Sequence, residues 1–145
     1  MLRVCDIMTD RVVTVGQDEP VSTAARLLKR HNIGALPVCD KDGRLRGILT
    51  DRDIVLRCVA ADADPAQVKV NEIMSRGVIT AGPFDPVDKV VRLMSEDQVR
   101  RLPVVDSGKV VGMVSLGDMA RNSNCEMEAA EALTEISSNI RRKRG

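Results

Sequence analysis

Aromatic residues are almost missing from this chain, whose 145 residues include no tryptophan, no tyrosine and one phenylalanine, Phe84. Proteins that hold single-stranded nucleic acid stack bases on aromatic side chains, and nucleic-acid binders in general present a basic face. Formal net charge is +1, and acids and bases are interspersed apart from the terminal Arg141-Arg142-Lys143-Arg144. The composition therefore speaks against nucleic acid as a partner. There is one histidine, His31, at the end of a helical pattern and far in sequence from any serine or cysteine signature. Catalysis needs a nucleophile, a base or a metal in mutual reach. No such set is visible, so no enzyme is expected, and His31 reads as a dipole partner at a helix C-terminus. The four cysteines, Cys5, Cys39, Cys58 and Cys125, are far apart and form no Cys-x-x-Cys. Small buried apolar residues are the simpler reading, with a metal site or a sensing disulfide such as Cys5 with Cys39 as the alternative. No apolar run approaches the roughly 20 residues of a membrane span, and the amino terminus lacks a signal-peptide pattern. A cytoplasmic protein without membrane contact is expected.

What is present is an ordinary globular composition, 43% hydrophobic and 30% charged, and an internal repeat. Val4-Cys5-Asp6-Ile7-Met8 matches Val70-Asn71-Glu72-Ile73-Met74, Pro20 matches Pro86, and Leu36-Pro37-Val38 matches Leu102-Pro103-Val104, each pair 66 positions apart. Beyond a turn one residue shorter, Gly47 matches Gly112 and Asp53 matches Asp118, now 65 apart. The boundaries read as repeat 1 over 1–60, a linker over 61–69, repeat 2 over 70–122 and a tail over 123–145. A unit of about 60 residues buries only about 60% of its unfolded surface and is marginal alone. Two copies sharing a core, joined by the short Ala60 to Pro65 connector, resolve that difficulty.

Each copy carries the same punctuation. Val12-Val13-Thr14-Val15 and Val78-Ile79-Thr80-Ala81 predict short strands. Glu19-Pro20 and Asp85-Pro86 then predict helix starts, with an acid at the cap and proline at the first helical position. Val21, Ala24, Ala25 and Leu28, and in the second copy Val87, Val90, Val91 and Met94, follow helical spacing and predict one buried stripe each. Leu36 to Cys39 and Leu102 to Val105 enter hairpin turns at Asp40-Lys41-Asp42-Gly43 and Asp106-Ser107-Gly108. A third strand follows, and then a helix carrying Ile54, Val55, Cys58 and Val59 in copy one. The expectation is an α+β fold of two pseudo-symmetric strand-helix-strand-strand-helix repeats. In the tail, Ala129, Leu133, Ile136 and Ile140 predict an amphipathic helix that packs on its own domain or a twin, or docks another protein.

The third strand of each copy runs into Gly47-Ile48-Leu49-Thr50-Asp51-Arg52-Asp53 or Gly112-Met113-Val114-Ser115-Leu116-Gly117-Asp118. A hydroxyl residue before a helix with an acid three positions on is a capping box. The same geometry serves a ligand, since a helix N-terminus attracts phosphate and a nearby carboxylate can accept both hydroxyls of a ribose. Both readings stay open on the motif alone.

Two such copies, each opening with Asp/Glu-Ile-Met, carrying Leu-Pro-Val before a hairpin and closing with Gly-x-x-Thr/Ser-x-x-Asp, resemble a pair of cystathionine-beta-synthase (CBS) domains. The resemblance covers about Val4 to Asn122 and extends to the small bacterial proteins made of such a pair alone. It implies a regulatory module that holds adenosine compounds, of the AMP, ADP and ATP class, in clefts between the copies. S-adenosylmethionine and NAD are alternative ligands, and a ligand-independent interaction protein is the alternative function. It further implies a homodimer, with an unidentified protein partner also possible, and no required cofactor.

Carried over residue by residue, the resemblance gives Asp53 and Asp118 the ribose hydroxyls, with Thr50 and Ser115 near ribose and phosphate. Thr14 and Thr80, with Ala35-Leu36-Pro37 and Arg101-Leu102-Pro103, are expected around adenine. Arg101 sits where family arginines bind phosphate, whereas copy one has Ala35, and Arg52 faces Gly117 in the alignment of copies. Phosphate contact is expected to rest on Arg101, with Arg52 and Arg100 as further candidates, because a guanidinium suits bidentate phosphate contact. Surface solvation is the alternative for all three. Without aromatic rings, adenine would be held by aliphatic walls and backbone groups, with modest affinity.

Overall fold

The computed structural model describes residues 2–121, 130 and 132–137. Along the chain the elements are α1 (Val4–Ile7), β1 (Val15–Gly16), α2 (Val21–His31), β2 (Ala35–Cys39), β3 (Leu45–Thr50) and α3 (Asp51–Ile54). After α3 comes a π-helical turn (Val55–Val59), then α4 (Val70–Ile73), α5 (Val87–Asp97), β4 (Arg101–Asp106), β5 (Lys109–Ser115) and α6 (Leu116–Ala120). A last helix, α7, covers 132–137. The class is α+β, as the two-fold pattern predicts.

The chain forms two compact units whose limits cut across the repeats. One comprises Val13–Val78 with Gly108–Val110, and the other the described residues of Met1–Val12, Ile79–Ser107 and Val111–Gly145. In the first, β1 runs parallel to β2, and β2 pairs antiparallel with β3 in the register Ala35 to Thr50 and Pro37 to Ile48. Val21, Ala24 and Leu28 from α2 meet Leu36, Val38 and Leu49 from the sheet, and Val70, Ile73 and Met74 complete that core. In the second, Val87, Val90, Val91 and Met94 from α5 meet Leu102, Val104 and Val114, joined by Val4 from the start of the chain and by Ala132 and Ile136 from α7.

Each Asp/Glu-Ile-Met opener thus completes the core of the other repeat. Ser75 exchanges two backbone hydrogen bonds of 2.9 Å with Ile48 on β3, and Thr9 exchanges bonds of 2.8 and 2.9 Å with Met113 on β5. Glycine stands beside each contact for a steric reason. A Cβ on Gly47 would lie 2.6 Å from the Ser75 carbonyl oxygen and 2.8 Å from the Met74 sulfur, and one on Gly112 2.5 Å from the Met8 sulfur and 3.0 Å from the Thr9 oxygen.

Several local expectations change. The acid is not the cap of α2 or α5. Pro20 and Pro86 are the N-cap residues, and neither has a side-chain cap bond. Backbone carbonyls take the open N–H groups instead: Val68 accepts from Val21 (2.9 Å), Pro65 from Ser22 (2.9 Å) and Leu2 from Val87 (3.2 Å). The predicted strands Val12–Val15 and Val78–Ala81 shrink to Val15–Gly16 and a single bridge at Ala81. Their β-branched Val13 and Ile79 pack against the cores without joining a ladder, in keeping with β-propensity reflecting half-buried packing.

After α3 the helix widens, with the Ala60 N–H bonding the Val55 carbonyl at 2.8 Å. Widening turns successive side chains through a smaller angle than an α-helix does. Cys58 accordingly stays fully buried while Val55 (54%) and Val59 (60%) are exposed. In α7 the buried positions are Ala132 and Ile136, and Leu133 is exposed. Ala129 and Ile140 lie outside the described residues.

The glycine contacts set a stability prediction. Gly47→Ala and Gly112→Ala should each lower unfolding free energy by about 1–3 kcal/mol, as overpacking does. Gly47→Ala should cost more, because a backbone oxygen cannot swing aside as a methionine can. Urea denaturation of the two variants checks both the size and the order.

Candidate functional site

Both hydroxyl-to-acid junctions form capping boxes. At Thr50, the backbone N–H donates to Asp53 Oδ2 (2.9 Å) and the hydroxyl oxygen accepts from the Asp53 N–H (3.0 Å). At Ser115, the corresponding bonds to and from Asp118 are 2.9 and 3.1 Å. The capping reading of the motif is therefore realised in both copies. It uses one carboxylate oxygen of each acid and leaves Oδ1 of both facing away from the cap.

The two Oδ1 atoms differ in their surroundings. That of Asp118 is held by the Arg121 guanidinium in an ion pair. Arg57 approaches that of Asp53, but its Nε remains 4.0 Å away while its Nη1 donates to the Ile73 carbonyl at 3.0 Å. Both acids are mostly shielded, their side chains 12% exposed. Sequence reasoning missed Arg57 and Arg121. Their positions four and three residues after the acids, a spacing at which helical side chains meet, were the available signal.

Among the other expected site residues, Ala35 lies opposite Thr50 in the β2–β3 register, and the Gly34 carbonyl accepts from the Asp51 N–H at 3.0 Å. The matching bond in the second copy runs from the Leu116 N–H to the Arg100 carbonyl at 2.9 Å. Leu36 (0% exposed) and Leu102 (2%) are core side chains. The expectation that they line adenine is corrected to this extent: alternation along the strand turns them inward, so only their backbone could face a ligand. Pro37 and Pro103 are also buried, and the Pro103 carbonyl accepts from the Ala81 N–H at 3.0 Å. Thr14, Thr80, Arg52, Arg100 and Arg101 are exposed. Among the described residues none of these three arginines forms an ion pair.

Two hollows of about 250 Å³ each accompany these groups. One, in the second unit, is lined by Asp6, Ile7, Asp118 and Arg121. The other, in the first unit, has Thr14, Gly16, Cys39, Asp40 and Lys41 in its wall. Burial, and secondarily the Asp40 charge, pushes the Cys39 thiol up, so it stays protonated and unreactive near neutral pH. Cys5, Cys39 and Cys58 are free thiols, and Cys125 lies outside the described residues. Hydrogen bonding from the Arg44 amide, with the Arg46 guanidinium and Asp42 amide, holds the Asp40 carboxyl below its ordinary value, against a smaller opposing effect of burial. The Arg46 contact to Asp40 is 2.9 Å. No cluster of three or more metal-binding side chains occurs among the described residues. Within the same residues no helix is long and apolar enough to cross a membrane.

These features define a class of two-repeat α+β proteins with a capped carboxylate at each strand-to-helix junction. The CBS domain family model matches residues 4–59 and again 70–124, and the chain belongs to the CBS domain family. It is 44% identical over 137 residues to the CBS domain-containing protein YhcV of Bacillus subtilis, covering 94% of this chain and 96% of that one. It is 39% identical to hypoxic response protein 1 of Mycobacterium tuberculosis, covering 81% and 82% of the two chains. Among solved structures, hypoxic response protein I with two coordinated zinc ions matches at a TM-score of 0.77 and 38% identity, over 83% of this chain and 98% of the other. The CBS domain pair of protein MJ0100 in complex with 5′-methylthioadenosine and S-adenosyl-L-methionine matches at 0.73 and 37% identity, over 83% and 94%.

The depressed Asp40 carboxyl carries a pH prediction. A group whose folded pKa is lowered contributes stability above its unfolded value and loses it as pH falls through the folded one. Asp40→Asn should therefore reduce stability at neutral pH and flatten the loss below about pH 4, near the midpoint of an unperturbed carboxyl. Melting temperatures measured between pH 7 and pH 3 test the sign, and a variant as acid-sensitive as the parent would contradict it.

Proposed function

We propose that this CBS pair is a regulatory sensor of adenosine-containing ligands of the AMP, ADP or ATP class, and not an enzyme. It acts in the cytoplasm as a homodimer and passes its bound state to a protein partner. The observation that carries the reading is the divided use of Asp53 and Asp118. One oxygen ties off the helix, and the other is a shielded anionic acceptor, open at Asp53 and paired with Arg121 at Asp118, suited to the vicinal hydroxyls of ribose. Thr50 and Ser115 stand beside those acceptors. Thr14 and Thr80, with Ala35, Pro37 and Pro103 and the backbone of Leu36 and Leu102, provide an aliphatic, hydrogen-bonding seat for adenine. Arg101, Arg52 and Arg100 supply exposed guanidinium groups for phosphate. For binding to regulate, the ligand must favour one arrangement of the protein over another.

A second reading concerns the ligand. A CBS pair 37% identical to this one holds 5′-methylthioadenosine and S-adenosyl-L-methionine, which share the adenosine and lack phosphate. The arginines discriminate: Arg101→Gln should weaken a nucleotide and leave a methylthio compound unaffected.

Calorimetry and thermal shift with AMP, ADP, ATP, NAD, S-adenosylmethionine and 5′-methylthioadenosine test the proposal. A true ligand at about 100 times its dissociation constant should add roughly 2.7 kcal/mol. Asp53→Ala combined with Asp118→Ala should erase that gain and also cost about 1 kcal/mol per lost cap. Asp→Asn at both positions should abolish binding at a smaller stability cost, since an amide oxygen can still cap. If no adenosine compound raises the melting temperature, the chain is a ligand-independent interaction protein.

A further inference from the structure

We infer that Arg121 is a built-in competitor for ligand at the Asp118 junction, which makes the two junctions unequal and lets the Asp53 junction fill first. This rests on the proposed ribose role of the two acids. An ionised carboxylate is an acceptor only, and in both copies the cap already draws one hydrogen bond to Oδ2. The less engaged oxygen, and the first seat for a ribose hydroxyl, is therefore Oδ1. At Asp118 a guanidinium from the same helical turn already occupies that atom. At Asp53 no hydrogen-bond donor among the described residues reaches it, because Arg57 is tied to the Ile73 carbonyl and its Nε stops at 4.0 Å.

The inequality is written in the repeat itself. Sixty-five residues before Arg121, where the copies align, stands Leu56, which carries no charge. The Arg121 side chain is 74% exposed, so its release exposes little apolar surface. Asp6 lines the same hollow as Asp118 and Arg121. Its Oδ2 accepts from the Arg3 N–H at 2.9 Å, which leaves its other oxygen as an alternative anion for the displaced guanidinium. Arg121 thus sets the threshold at which the Asp118 junction accepts ligand.

Adenosine is the suitable probe, because it has the diol and no phosphate for an arginine to attract. Isothermal titration of the full chain in an Asp53→Asn background isolates the Asp118 junction, and an Asp118→Asn background isolates the other. Arg121→Gln should tighten adenosine at the Asp118 junction by about two- to fivefold, the span that an exposed ion pair commands, and leave the Asp53 junction unchanged. Salt should tighten adenosine at the Asp118 junction of the parent by screening the competitor, and this response should vanish in Arg121→Gln. Arg121→Lys, retaining the charge, should keep part of it. Unchanged or weaker adenosine binding in Arg121→Gln overturns the inference while leaving the ligand reading intact. Absence of adenosine-compound binding in the parent and in every variant overturns both.

Discussion

The contact on which the rest of this structure depends is the passage of each Ile-Met opener across a glycine on the third strand of the other repeat. Ser75 on Ile48, and Thr9 on Met113, exchange paired backbone hydrogen bonds, and the adjoining Gly47 and Gly112 leave room for the methionine and the carbonyl that arrive with them. Without that exchange each sheet would keep an unpaired edge and each core would lose its covering residues, Val70, Ile73 and Met74 in one unit and Val4 in the other. A unit of about 60 residues is marginal by itself. The duplicated chain answers this by having each copy finish its sister's core.

The same strands deliver the candidate sites. Both β3 and β5 end in a hydroxyl residue whose oxygen accepts the N–H of an acid three residues on, and that acid returns one oxygen to the strand end. Capping holds the carboxylate in place, and the second oxygen is thereby aimed without further support. A short helix start and an oriented anion are two results of one arrangement, so the capping and ligand readings of the motif do not compete for the same atom. What distinguishes the copies is the neighbouring arginine. Arg57 is drawn aside by the α4 carbonyl of Ile73, while Arg121 folds back on its own acid.

The repeat, the α2 and α5 stripes, the hairpins and the hydroxyl-to-acid junctions were legible in the residues, because spacing and turn chemistry are local properties of a chain. Other features were not. A helix carrying Ile54, Val55, Cys58 and Val59 was expected, but not its widening, which leaves Val55 and Val59 exposed and Cys58 buried. Glu19 and Asp85 were expected as caps, but carbonyls from sequence-distant segments reach the open N–H groups of Val21, Ser22 and Val87. The side chains of Leu36 and Leu102 belong to the cores, which leaves their backbone for the expected ligand contact.

By itself the sequence determined that one unit is written twice, which residues are apolar at strand or helix period, and where an acid follows a hydroxyl. The first is read by matching segments along the chain, and the other two depend on neighbours within a few positions. Only the tertiary structure decided which repeat receives each opener, which carboxylate oxygen remains open, and which arginine reaches it. The first depends on backbone groups far apart in the chain meeting within 3 Å, Ser75 with Ile48 and Thr9 with Met113, and the last on the Arg57 side chain being drawn to a carbonyl beyond its own helix, that of Ile73; no local pattern encodes such meetings.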